Sequence, residues 1–472
     1  MSGSIMTGGS MSVRPAPGTP KEYHFPGFRR ERLPNGLTVL ASHLPGRPLL
    51  AAQLLLEGGA AAELPARAGV TSLAAEALSE GTEQRDAIEF VEASERLGAS
   101  LHASAGWETM SVTLDVPRRR LGPALELAAE MLLRPAYPTD EIERLREERL
   151  NDLLQARAEP RRRAERTFVE TIYDARSPFS RPIGGTEETV RGLDRPSVLE
   201  RHAGLLDPRN ATLIVGGDLG GLDLVEMVAS CLGSWAPAGD LVSREPAPHT
   251  RADDSPSPAG PRVVLVDRPG APQTEIRIGH VGLPRAIPDF HAVAVMSAIL
   301  GGLFNSRLQR LLREERGYTY GVSASFDLRR SAGPFAVRMA VETAVTVAAG
   351  TEAIRELRRI RTDAPSAEEL DSAREYLVGV FPLRFEAPSQ VVAAIAGLVV
   401  NGLPDDELDR YRPAIAAVTA DDVVAAAAHV DADRVSMVLV GDAARLEAEV
   451  RAAGLGSVEI VPADVEVIEP EN

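Results

Sequence analysis

The feature that most constrains this chain is a repeat of itself. Residues 211–233, ATLIVGGDLGGLDLVEMVASCLG, and residues 435–456, VSMVLVGDAARLEAEVRAAGLG, have the same layout. In each, a β-branched run is followed by a Gly-Asp turn, apolar residues at helical spacing and a closing Leu-Gly. The stretches before them also correspond, SVLERHAGLLDPRN (197–210) beside DVVAAAAHVDADR (422–434). The period is about half of the 472 residues, far too long for a solenoid. Between the copies, residues 236–260 (APAGDLVSREPAPHTRADDSPSPAG) are rich in Pro, Ala, Gly and Asp and lack apolar periodicity, as a linker does. Two homologous halves are expected, 29–235 and 261–460. They are flanked by a disordered segment at 1–28 and a tail at 461–472.

Within the first half, strands are expected at 37–43 and 51–59, a helix at 67–79 and another at 86–97. Paired strands follow at 101–116, then helices at 119–133 and 139–157. The second half follows the same order: strands near 262–267 and 274–282, helices at 289–300 and 306–316, strands at 319–328 and 334–343, and helices at 344–361 and 366–380. The last begins with a capping box, Ser366 and Glu369. Strands mixed with packed helices in a duplicated unit predict an α+β fold with largely antiparallel sheets.

Charge and composition remove several function classes. Lys and Arg number 51 against 68 Asp and Glu, a net charge of −17 that argues against nucleic acid or anionic lipid as a partner. The runs Arg118-Arg119-Arg120 and Arg161-Arg162-Arg163 read as solvated faces of surface helices. A single cysteine, Cys231, sits in an apolar helical pattern and reads as a small buried hydrophobe. No apolar run approaches membrane-spanning length, and the N-terminus has no signal-peptide core. Membrane insertion is therefore not expected, and a cytoplasmic location is.

A search for self-contained chemistry returns little. The eight histidines include no pair one helical turn apart, and the closest two, His280 and His291, are eleven residues apart. Two imidazoles need that i, i+4 (or i, i+3) spacing to point at one zinc ion from a helix. Nucleophile-elbow, phosphate-loop and dinucleotide-binding glycine patterns are absent as well.

The order of motifs, however, resembles the pitrilysin/insulinase-type inverzincin metallopeptidases, especially the shorter processing-peptidase-like members. The matching pieces in the first half are LPNGLTVLASHLP (33–45), EGGAAAELPARAGVTSLAAEALSEGT (57–82), LGASLHASAG (97–106), YPTDEIERLREERL (137–150) and RSPFSRPIGGTEETVRGL (176–193). In the second half they are ILGGLFNSRLQRLLREERGYTYGVSASF (299–326) and VTADDVVAAAA (418–428). Zinc-bearing members carry H-x-x-E-H on the helix that corresponds to 69–79, two ligands and a general base. Aligned on Gly69 and Gly81-Thr82, those positions hold Ser72, Ala75 and Glu76, and the third ligand falls near Asp152. The resemblance thus implies a kept frame with the zinc chemistry lost: no metal and no cofactor on this chain. Ser72, Glu76 and Asp152 offer a hard cation too few oxygens for a site.

The second half resembles the family differently. On its own, Arg313 reads as a solvated residue on the last turn of a helix ended by Gly317, and Tyr320 as an aromatic on the following strand. The resemblance gives this pair a role: an Arg that orients the peptide and a Tyr whose hydroxyl meets the scissile carbonyl. Some bacterial members divide the work between two chains, one with H-x-x-E-H and one with only Arg/Tyr. This sequence is similar to the second kind. The expectation is a non-zinc subunit that binds peptide and supplies Arg313 and Tyr320 to a zinc-bearing homologous subunit. The alternative is a purely structural or peptide-binding homologue, like the core proteins of a respiratory complex. His102, in the strand that aligns with the family's substrate-binding edge, reads as strand packing or surface.

Overall fold

In the computed structural model the described residues are 21–236 and 251–462. They form two six-stranded sheets flanked by helices, an α+β fold built twice. The first sheet holds β1 (Arg29–Arg32), β2 (Thr38–His43), β3 (Leu49–Glu57), β4 (Ser100–Ala105), β5 (Thr109–Pro117) and β6 (Ala211–Gly217), in the order β1-β2-β6-β3-β5-β4. The second holds β7 (Arg262–Asp267), β8 (Gln273–Val281), β9 (Val322–Phe326), β10 (Pro334–Glu342), β11 (Ser436–Gly441) and β12 (Ser457–Val461), in the order β12-β7-β11-β8-β10-β9.

Five strands of each sheet correspond one to one. The pairs β2/β6 and β7/β11 are parallel, and the remaining shared pairs are antiparallel. The duplication seen in sequence is therefore a duplication of topology. The sixth strands differ: β1 joins antiparallel from the N-terminal side, whereas β12 joins parallel from the C-terminal end. Neither was expected from sequence.

Each sheet is buried on both faces, which explains runs such as Val263-Val264-Leu265-Val266 without polar alternation. On one face of the first sheet, Val39, Leu50, Ala52, Leu54 and Leu56 meet the helices of their own half. These are α1 (Val70–Glu76), α2 (Ala87–Leu97), α3 (Leu121–Leu133), α4 (Thr139–Ala158) and α7 (Arg195–Leu205), with α5 (Pro160–Ile172) and α6 (Glu187–Arg191) between the last two and α8 (Leu224–Leu232) closing the half. In the second half Val263, Leu265, Ile276 and Ile278 likewise meet α9 (Phe290–Ser297), α10 (Thr346–Arg359) and α11 (Ala367–Val380). After α12 (Pro388–Asn401), helices α13 (Glu407–Ala417), α14 (Ala420–Ala427) and α15 (Ala443–Ala452) complete that layer. The α11 cap is the one expected: Glu369 N–H donates to Ser366 Oγ at 3.2 Å and Ser366 N–H to Glu369 Oε2 at 2.9 Å.

The second face of each sheet is covered by a helix from the other half. Ala164, Phe168 and Ile172 of α5 pack on Val264, Val266, Val438 and Val440 of the second sheet. Val391, Val392 and Ile395 of α12 pack on Leu40, Ala51, Leu55 and Ile214 of the first. Helix α5 is therefore buried along one face, although Arg161 of the arginine run is exposed as expected. Just beyond that run, Glu165 Oε1 takes Nε of the buried Arg277 at 2.7 Å and Nε of Arg338 at 3.0 Å. Arg118 is not simply solvated, since its Nε donates to Asp218 O at 2.7 Å.

Two other expectations differ from the structure. Residues 21–28, expected within a disordered lead-in, pack against the second half: Phe25 is buried, its N–H donates to Asp409 Oδ1 at 2.9 Å, and its ring meets Phe385 edge-on. The described part of the expected linker is pinned, with Ala252 N–H donating to Ser331 Oγ at 2.8 Å and Ala332 N–H to Asp254 Oδ2 at 2.6 Å. The remainder of those two segments and the tail beyond residue 462 lie outside the described residues.

Candidate functional site

Helix α1 is set in place from its N-terminus. Gly69 has φ +96°, and a Cβ there would come within 2.7 Å of Gly184 O, so only glycine fits. The carboxylate of buried Glu63 accepts Gly69 N–H at 2.8 Å and Thr71 N–H at 2.7 Å, satisfying two donors at the helix start. Arg201 Nε donates to Thr71 Oγ1 at 2.8 Å beside them. Burial raises the Glu63 pKa, and the Thr71 and Gly69 hydrogen bonds and the Arg201 charge work against that rise. Sequence reasoning gave no role to Glu63, which lies inside the 57–82 piece, or to Arg201.

The three positions that correspond to H-x-x-E-H have separate fates. Ala75, in the place of the general base, is 1% exposed and belongs to the apolar core. Ser72 and Glu76 lie on the outer face, where Ser72 Oγ donates to Glu76 Oε1 at 3.0 Å. Glu76 is solvent-accessible, yet the protein around it desolvates it enough to raise its pKa, against the Ser72 hydrogen bond and the Arg149 charge. The fold does bring α4 beside α1, since Arg149, Glu148 and Asp152 all act electrostatically on Glu76. Asp152 is already engaged: Arg149 Nη1 donates to it at 2.6 Å and Arg162 Nη2 at 2.8 Å. Arg149 Nε also donates to Gly184 O at 3.0 Å, fixing that guanidinium. Two cations thus hold one of the two carboxylates that stand at ligand positions. Among the described residues no group of three or more His, Cys, Asp or Glu side chains is placed to hold a metal. A zinc ion does not fit this donor set.

Arg313 and Tyr320 lie around a tight reversal. The helix Gln309–Glu315 is wound with π-type hydrogen bonds, and Arg316 N–H reaches Leu311 O at 3.0 Å. Gly317, at φ +65°, ends it, and Tyr318 N–H closes the end on Leu312 O at 2.8 Å. The returning chain passes Gln309, whose amide lies 3.9 Å from where a Gly321 Cβ would be. Tyr320 is therefore held beside the helix that carries Arg313. It is not on the strand, as expected, but two residues ahead of β9. Thr319 fixes this loop: its hydroxyl lies 2.8 Å from Ala340 O and 2.9 Å from Gly321 O, and donates to one of them at a time. Tyr320 itself is 96% exposed. The Arg313 guanidinium sits 4.2 Å over the ring of Phe304, a residue the sequence reading did not single out.

The terminal strands β4 of the first sheet and β9 of the second each pair on one edge only among the described residues. On β4, His102 Nε2 shares a 2.7 Å hydrogen bond with Thr113 Oγ1 of β5, the strand packing expected of it. A groove of about 800 Å³, lined by residues that include Arg29, Glu31, His43 and Leu219, holds none of the expected site residues.

The fold is a duplicated α+β scaffold in which the described residues assemble no set of metal-binding side chains. The model of the family described as Insulinase (Peptidase family M16) matches residues 38–187, and that described as Peptidase M16 inactive domain matches residues 192–377. The chain belongs to peptidase family M16. It is 24% identical over 359 residues to the non-peptidase homolog YmxG of Helicobacter pylori, covering 74% of this chain and 79% of that protein. It is 25% identical over 415 residues to an uncharacterized zinc protease of Mycobacterium tuberculosis, covering 88% and 93%. Among solved structures, the peptidase M16 inactive domain from Pseudomonas fluorescens superposes with a TM-score of 0.78 at 22% identity, covering 88% of this chain and 98% of that one. A protease from Helicobacter pylori superposes with a TM-score of 0.80 at 18% identity, covering 89% and 100%.

Proposed function

We propose that this chain is the non-zinc subunit of a two-chain peptidase, acting with a homologue that carries H-x-x-E-H. The observation that carries the reading is the presentation of Arg313 and Tyr320. Tyr320 is almost wholly exposed on a loop pinned by Thr319, and Arg313 forms no ion pair among the described residues. Groups held this way suit a ligand that comes from outside the chain. The metal and the water it activates belong to the partner, in this reading, and the work takes place in the cytoplasm.

The contribution of this chain is then electrostatic and geometric. The Tyr320 hydroxyl donates to the oxygen of the scissile carbonyl as negative charge develops on it. The Arg313 guanidinium, a planar fork of donors, holds a neighbouring peptide carbonyl and fixes the orientation of the substrate. Co-expression with a family member bearing H-x-x-E-H, followed by size exclusion, tests the partnership. One co-eluting species is expected. Two species that run separately at micromolar concentration favour instead a structural or peptide-binding homologue.

A further inference from the structure

Within the segment that bears Arg313, the other arginines are all paired with carboxylates. Arg307 Nε contacts Glu369 Oε1 at 2.7 Å, Arg310 Nε lies 3.9 Å from Glu315 Oε1, and Arg316 Nη2 contacts Glu352 Oε1 at 3.1 Å. Arg313 has no carboxylate or hydrogen-bond partner among the described residues, and only the Phe304 ring lies under its guanidinium. That ring is 68% exposed. A large apolar side chain left in water beneath a cation that has no carboxylate partner is a poor arrangement for stability alone. The backbone around it is also irregular, with π-type turns at Ala298–Gly302 before it and Gln309–Glu315 after it, and such turns concentrate at functional sites.

We infer that Phe304 is the third member of the Arg313/Tyr320 site. Its ring positions the guanidinium, and its exposed surface forms a subsite for an aromatic or branched aliphatic side chain of the bound peptide. This rests on the reading that Arg313 and Tyr320 face a peptide, and adds to it the class of peptide selected. A guanidinium stacked on an aromatic face keeps its edge donors free for a carbonyl, because stacking uses the plane and hydrogen bonding uses the rim. A side chain next to that carbonyl then meets the part of the ring that Arg313 leaves uncovered. Covering exposed aromatic surface with apolar surface is favourable in proportion to the area removed from water. Replacing the peptide's apolar residue with alanine forfeits that contact.

The test uses the full chain and two blocked pentapeptides that differ only in the central residue, Phe or Ala, with affinities measured by titration calorimetry. The wild-type chain is expected to favour the Phe peptide about tenfold or more. Phe304→Ala should bring the ratio close to one, and Phe304→Trp should keep it. Arg313→Ala should weaken both peptides by the same factor and leave the ratio intact. Ile88→Ala, an exposed apolar change on α2, should alter neither quantity. Phe304 is a surface residue, and thermal melts of each variant confirm that a lost ratio is not lost folding. A ratio that survives Phe304→Ala, while Arg313→Ala still weakens both peptides, overturns the subsite and leaves the two-chain reading standing. Failure of both peptides to bind at millimolar concentration, or no effect of Arg313→Ala, overturns the inference as well. Preserved peptide discrimination without any partner complex would support the subsite and count against the two-chain peptidase.

Discussion

Arg149 and Asp152, one turn apart on α4, form an ion pair at 2.6 Å, and Arg162 from α5 binds the other oxygen of the same carboxylate at 2.8 Å. The position expected for a third zinc ligand is therefore neutralised by two guanidinium groups, whose positive charge also repels a cation. With Ala75 in the core and Ser72 bonded to Glu76, neither imidazole nor base is present. The purified chain is expected to retain far less than one equivalent of zinc after dialysis, measured by elemental analysis. One tightly held zinc per chain would contradict this account of α1 and α4.

The two halves are joined by a buried ion pair. Arg330, at the β9–β10 turn, grips Glu57 at the end of β3 with both terminal nitrogens, the longer contact being 3.1 Å, and its Nε donates to Val400 O at 2.8 Å. The same guanidinium acts on Glu108, whose pKa burial raises and Arg330 and Arg329 hold down. Arg330→Ala removes the cation that offsets both Glu57 and Glu108 at this junction. It should cost about 3–5 kcal/mol in urea unfolding. A loss below about 1 kcal/mol would place this pair with ordinary surface salt bridges.

His202 gives the fold a pH dependence of defined sign. Its ring is buried against Tyr137, and its Nε2 lies 2.9 Å from Leu132 O, to which it donates. Burial lowers its pKa from 6.5 to about 4, with the Leu132 hydrogen bond opposing the shift. Between those values the unfolded chain takes up a proton that the folded chain does not, so this contribution to stability is complete above pH 6.5 and falls as the pH drops toward 4. The loss across that window should be on the order of 2–3 kcal/mol. His202→Gln should flatten this part of the stability profile measured by denaturant unfolding, and an unchanged slope would assign it to other groups.

The elements legible in sequence are those whose pattern closes locally. The capping box at Ser366/Glu369, the paired strands and the Gly317 stop all depend on neighbours a few residues away. What escaped depends on distant partners. Helix α5 looks like a charged surface helix because Arg161, Arg162 and Arg163 dominate it, while its buried stripe, Ala164, Phe168 and Ile172, is narrow and finds its core on the other half's sheet. Strands β1 and β12 are short edges that pairing alone defines. At the site, Arg313 was found through resemblance to a family, whereas Phe304 and Glu63 lie within matching pieces but were given no role there. Phe304 is recognisable only once the guanidinium is seen above it, and Glu63 only once it is seen capping α1.

Arg313→Ala and Tyr320→Phe should separate in kinetics of a complex reconstituted with a zinc-bearing homologue. Loss of the guanidinium loosens peptide orientation, so KM rises and kcat falls together. Arg313→Ala should leave the stability of the free chain nearly unchanged, because among the described residues it gives up only its stacking on the exposed Phe304 ring. A large stability loss would instead mark Arg313 as a structural residue.

The most direct measurement is the steady-state rate of the Tyr320→Phe complex. The hydroxyl lies on a residue that is 96% exposed in the free chain, so its removal should disturb neither folding nor assembly. If it meets the developing oxyanion, its loss acts in the transition state, and kcat should fall by about 10²–10³ with zinc content and complex size unchanged. A rate within about twofold of wild type would contradict the proposal that this chain completes a partner's active site.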